Sequence, residues 1–187
     1  MRTTGIKTAA TMLAGGLLAV ASPALAHAQP SQGSGTTTTV SQSSEAMAPR
    51  AVITTRIKNR KSGKFLQAVS TANGARVVQQ ENISTSLQVW EPYTFDGYWT
   101  FENHGAGRNL GIDGASSASG AAAIIADGSS DSNQDWVKQF TTGDYFRLMN
   151  RKSSLCLGVS GGSTANGAAV GQFPCDGSTN QQWLQQG

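Results

Sequence analysis

Three in-register copies of one short pattern limit what this chain can fold into more than any other feature. The string Ser-Thr-Ala-Asn-Gly-Ala stands at Ser70–Ala75 and, letter for letter, at Ser163–Ala168, with a looser copy, SSASGA, at Ser116–Ala121. The copies begin at residues 70, 116 and 163, spacings of 46 and 47 residues. Two further markers keep the same step. Downstream, each copy is followed by a Gln-x-Trp signature, ending at Trp90, Trp136 and Trp183. Upstream, IKNRKSGKFL, FENHGAGRNL and LMNRKSSLCL each carry Asn in third place and Leu at the end. The chain is a threefold internal repeat, and a unit this short cannot bury its own apolar face, so three must share one core.

Within each unit the pattern is of short alternating strands, such as RIKN, YWTFEN and YFRLMN, separated by clusters of Gly, Ser, Asn and Asp. No window has the apolar period of an amphipathic helix. An all-β domain follows, and closure about a pseudo-threefold axis would remove the sheet edges that invite aggregation.

The N-terminus has Arg2 and Lys7 ahead of an apolar stretch, Ala9–Ala21, and small residues at Ala24, Ala26 and Ala28. It reads as a secretory signal peptide over residues 1–28, with cleavage after Ala26 or Ala28, too short and Gly-rich for a membrane span. The polar, Ser/Thr-rich residues 29–50 read as a flexible leader. The domain is then 51–187, with repeats of roughly 51–96, 97–143 and 144–187. Removing the signal takes two of the 14 cations and leaves 12 against 11 acidic residues, which gives no basic footprint for nucleic acid or an anionic membrane. A secreted, extracellular monomer is expected. In an exported chain Cys156 and Cys175 are expected to form a disulfide.

Three Gln-x-Trp signatures closing repeats of this length resemble the ricin B-chain-type β-trefoil lectins and the sugar-binding modules of bacterial glycoside hydrolases. The third repeat fits best, LCLGVSGGSTANGAAVGQFPCDGSTNQQW, with a Cys-Leu-x-Val start, two cysteines and an Asn-Gln-x-Trp end. The resemblance implies a β-trefoil in which Trp90, Trp136 and Trp183 are core. It also implies a shallow pocket per repeat, where an aromatic stacks on a sugar ring and a carboxylate and an amide bind hydroxyls.

Carried over position by position, the pattern is incomplete. The third repeat keeps the aromatic Phe173, the amide Asn180 and Gln181, but has Gly158 at the carboxylate position and Gly171 at a second polar one. A carboxylate restored by Gly158→Asp is expected to strengthen binding. The second repeat has Gly111 and Ala126 in place of carboxylate and aromatic, and keeps Asn133 and Gln134. Asp113, two residues beyond Gly111, would point to the same side if the strand continued. The first repeat has Gln67, Gln80 and Leu87.

The sites expected to bind carbohydrate are therefore Phe173, Asn180 and Gln181, then Asn133 and Asp113. Neither cofactor nor metal is expected. Asp127, Asp131 and Asp135 do not follow the alternation of a calcium loop, and if cleavage follows Ala28 His104 is the one histidine left, with no second histidine or free thiol for a metal site. Two readings stay open: a non-catalytic carbohydrate-binding protein, and a trefoil scaffold for protein contact whose sugar sites have decayed.

Overall fold

The structure, a computed structural model, describes residues 52–187. The expected signal peptide and leader lie outside these residues. Each repeat supplies four strands. The first has β1 (Arg56–Asn59), β2 (Phe65–Ala68), β3 (Val77–Gln80) and β4 (Trp90–Phe95). The second has β5 (Tyr98–Asn103), β6 (Arg108–Ile112), β7 (Ala123–Ala126) and β8 (Trp136–Phe140). The third has β9 (Phe146–Asn150), β10 (Cys156–Val159), β11 (Val170–Phe173) and β12 (Trp183–Gln186). Among the described residues the only helical elements are single 3-10 turns, as the missing 3.6-residue period predicts.

Six strands close a barrel. β1 pairs with β12, β4 with β5 and β8 with β9, all antiparallel. Single residue pairs, Thr55 with Trp90, Trp99 with Trp136 and Phe146 with Trp183, join these ribbons. Each signature Trp thus stands where one ribbon meets the next. All three are 0% exposed, and each indole Nε1 donates to a carbonyl 3.0 Å away, that of Leu66, Leu110 and Leu157 in turn. These leucines close the upstream markers, so two of the three sequence markers meet in one buried hydrogen bond, repeated three times. The pseudo-threefold equivalence expected of the tryptophans holds.

The marker Asn has an equally regular role. Nδ2 of Asn59, Asn103 and Asn150 each donates at 2.9 Å to a carbonyl in the signature loop of another repeat, at Asn180, Leu87 and Asn133 respectively.

The remaining hairpins, β2–β3, β6–β7 and β10–β11, cap the barrel. The repeated string makes the turns of this cap. Gly74, Gly120 and Gly167 all have φ between 73° and 85°, the left-handed region that favours glycine. Each turn docks on a hairpin of another repeat: the Gly74 N–H donates to Ile125, that of Gly120 to Gln172 and that of Gly167 to Gln79, and Ile125, Gln172 and Gln79 donate back to Ala75, Ala121 and Ala168. The three exchanges close a ring.

This docking also explains why the second copy of the string differs. Asn73 and Asn166 use Oδ1 to accept the N–H of Asp127 and of Glu81. The corresponding residue facing the second turn is Pro174, which has no N–H to offer, and there the chain has Ser119 in place of Asn.

Candidate functional site

The β10–β11 hairpin sets Cys156 opposite Phe173 and Gly158 opposite Gly171. Beside it opens a cleft of ≈ 460 Å³ whose lining includes Phe173, Asp176, Ser178, Asn180, Gln181 and Lys61. The structure thus brings Phe173, Asn180 and Gln181 together, as the sequence pattern predicts. Phe173 is half-buried, with ring surface still reachable. Nδ2 of Asn180 donates to the Val159 carbonyl at 3.0 Å, and its Oδ1 accepts from Ser178 Oγ at 2.7 Å. An amide carries two N–H donors, so one remains for a ligand.

Gln181 has a different task. Only 3% exposed, it donates from Nε2 to the Pro174 carbonyl at 2.8 Å and accepts from the Asp176 N–H at 3.3 Å. It holds the 174–176 loop against the hairpin. The disulfide pins the same loop: Cys156 and Cys175 are bonded, with Cα atoms 5.1 Å apart.

A carboxylate does stand in the cleft, at a position the family pattern does not indicate. Oδ1 of Asp176 accepts the Ser178 N–H at 2.9 Å. The Ser178 hydroxyl and N–H beside it hold the carboxyl below its ordinary value. Its only sequence signal is the Phe-Pro-Cys-Asp order, which puts an acid one residue beyond the disulfide. Lys61 gives no local signal, because it arrives from another repeat.

The glycines at the family's polar positions are occupied space rather than vacant sites. A Cβ on Gly158 would lie 2.9 Å from Gln181 Cγ and 3.5 Å from Phe173 Cδ2. One on Gly171 would lie 2.6 Å from the Ala121 carbonyl oxygen, which belongs to the docked turn of the second repeat. Gly171 therefore serves the cap, and the reading of it as a lost polar ligand is corrected.

The other two repeats present less. Asn133 is buried at 6% exposure, donates to the Ile112 carbonyl at 3.1 Å, and no aromatic accompanies it at Ala126. Asp113 does not continue the strand, because β6 ends at Ile112 and a 3-10 turn begins. Its carboxylate lies 4.0 Å from Arg76, both groups being exposed. Gln134 bonds to the Asp127 carbonyl and to Asn109. In the first repeat Gln67 accepts from Gln88 and Gln80 accepts from the Gly167 N–H.

A second cleft, ≈ 530 Å³, opens beside β4 and is lined by Val52, Ile53, Glu91, Tyr93 and Trp99 among others. Two of its lining groups are engaged: Lys138 Nζ lies 4.9 Å from the Trp99 ring centroid, and His104 contacts the Glu91 carboxylate. No group of three or more metal-binding side chains occurs among the described residues.

A family model described as ricin-type β-trefoil lectin domain-like matches residues 49–126 and 132–186. No curated protein matches. Among solved structures the chain is similar to ThreeFoil, a designed 3-fold symmetric protein, at 32% identity and a TM-score of 0.69, over 71% of this chain and 96% of that one. It is also similar to an exo-β-1,3-galactanase from Clostridium thermocellum, at 26% identity and a TM-score of 0.69, where the match takes 73% of this chain but only 30% of the enzyme. The ricin B-like lectin of Macrolepiota procera, solved in complex with lactose, shares the fold at 21% identity and a TM-score of 0.64, over 74% of this chain and 97% of the lectin. With the family model spanning most of the domain and the three tryptophans equivalent in the barrel, the chain belongs to the ricin B-type β-trefoil lectin family.

Proposed function

We propose that the protein is a secreted, non-catalytic carbohydrate-binding protein whose working site is the third-repeat cleft. One observation carries this reading. Among the described residues, only there does a reachable aromatic, Phe173, share an open cleft with a free amide donor on Asn180 and an exposed carboxylate, Asp176. A sugar ring offers an apolar face and a rim of hydroxyls, so stacking on Phe173 with hydrogen bonds to Asn180 and Asp176 answers both. Stacking contributes about 0.5–1.5 kcal/mol beyond burial, so monovalent binding is weak. With one such site per chain, avidity within the chain is small.

A second reading, a trefoil used for protein contact, is favoured by Phe95 and Phe140, which are 77% and 69% exposed at the ends of the β4–β5 and β8–β9 hairpins. A glycan array with pull-down on insoluble polysaccharides, run on residues 51–187, separates the two. Sugar signal supports the lectin reading. Silence on every glycan, with a protein captured from secreted extracts, supports the scaffold.

A further inference from the structure

We infer that Lys61, reaching in from the first repeat, makes the third-repeat cleft selective for sugars that carry an anionic group. The inference rests on the cleft being the sugar site. Lys61 lines the cleft, and its Nζ lies 2.8 Å from the point where a Cβ on Gly162 would stand. The Asn180 side chain is 3.7 Å from that same point, so ammonium and amide face one small volume. Lys61 makes no ion pair within 4.0 Å among the described residues.

The placement is built into the fold. Asn59 Oδ1 accepts the Lys61 N–H at 3.1 Å while its Nδ2 donates to the Asn180 carbonyl at 2.9 Å. On the other side, the Arg60 N–H donates to the Gln182 carbonyl at 2.9 Å. The Lys61 turn is thus fastened to the very loop that carries Asn180. Gly162 keeps the passage open, since a side chain there would meet the ammonium.

The second repeat provides an internal contrast. Lys152 occupies the equivalent turn, its N–H accepted by Asn150, which donates in turn to the Asn133 carbonyl. At the position of Gly162, however, that repeat has Ala115, which carries the Cβ that Gly162 lacks.

Asp176 shares the cleft, and its charge would disfavour an anion placed against it. Its carboxylate is turned to Ser178, whereas Lys61 lies toward Asn180 and Gly162. The arrangement suits a ring whose hydroxyls meet Asp176 and Asn180 and whose carboxylate or sulfate meets Lys61.

The test compares methyl galactoside with methyl galacturonoside and with galactose 6-sulfate, and methyl glucoside with methyl glucuronoside, by titration calorimetry on residues 51–187. At low salt the anionic member of a pair should bind about two- to fivefold more tightly, the range of an exposed ion pair. That advantage should vanish near about 1 M salt. Lys61→Met should remove the advantage, bringing the ratio of anionic to neutral affinity to about one, and Lys61→Arg should retain it. Preference for uronates alone, or for sulfate alone, identifies which anion the cleft takes. If the parent binds neutral and anionic members equally, or Lys61→Met leaves their ratio intact, the inference fails. Phe173→Ala keeps the two layers apart: sugar binding that survives it overturns the site itself, whereas binding lost with it while Lys61→Met changes nothing overturns only the role of Lys61.

Discussion

Gly158 and Gln181 are packed so closely that a Cβ on the glycine would stand 2.9 Å from Cγ of the glutamine. Gln181 cannot yield freely, because both ends of its amide are bonded to the 174–176 loop. Gly158→Asp, which the family pattern favours as a gain of function, is therefore expected to lose about 1–3 kcal/mol of stability and to gain no affinity. Urea unfolding and calorimetry on the same variant check both halves. Tighter binding at unchanged stability would show that the loop adapts.

Trp90, Trp136 and Trp183 are fully buried and hydrogen-bonded alike. Replacing any one by Ala should cost about 3–5 kcal/mol, with similar values for all three. Chemical denaturation would expose a failure of the pseudo-symmetry as one variant far milder than the others.

Phe173→Ala is expected to abolish detectable glycan binding while leaving the far-ultraviolet circular dichroism of the parent, because the ring is only half-buried. Asn133→Ala should leave binding as it was. The reverse pattern, binding lost with Asn133 and kept without Phe173, would move the site to the second repeat.

The disulfide closes a loop with a sequence separation of 19. Thiol titration of the denatured, unreduced protein should find almost no free thiol, and loss of the bond should cost about 3 kcal/mol on the chain-entropy estimate. Because the bond fastens the loop between Phe173 and Asp176, Cys175→Ser paired with Cys156→Ser should also weaken sugar binding. Binding equal to the parent would show that Gln181 holds the loop alone.

Asp176 has a carboxyl held below its ordinary value of 3.8 by Ser178. A depressed value means that the ionised form persists on acidification, and its contribution is lost only as pH falls through the lowered value. Sugar binding should thus stay level from neutrality to below the usual carboxylate range. Ser178→Ala should move the loss to higher pH, which a binding titration reads directly.

The fold was legible because it is written three times: any one Gln-x-Trp says little, but three in register with Asn and Leu upstream fix which residues must be equivalent. The disulfide was legible from two cysteines in a chain expected to be exported, and the nearness of Phe173 to Asn180 from the family's pattern in the third repeat. Asp176 and Lys61 were not: Asp176 lies outside the repeated pattern, and Lys61, although Lys152 repeats it, enters the cleft from another repeat. Asp113 misled because strand alternation was extended one residue past the end of β6. Gly171 misled because a glycine at a ligand position looks like a deletion in sequence, while in space it admits the Ala121 carbonyl.

The ring of turns docked on hairpins bears on how the molecule comes apart. A linear array of repeats can fray from its ends one unit at a time. Here each turn is held by a hairpin of another repeat, and the last is held by the first, so there is no terminal unit to lose. Opening any one junction leaves a hairpin edge and a turn unsatisfied at once. Unfolding is then a single cooperative event across all three repeats, and a fragment of two would keep exposed edges in place of a smaller fold.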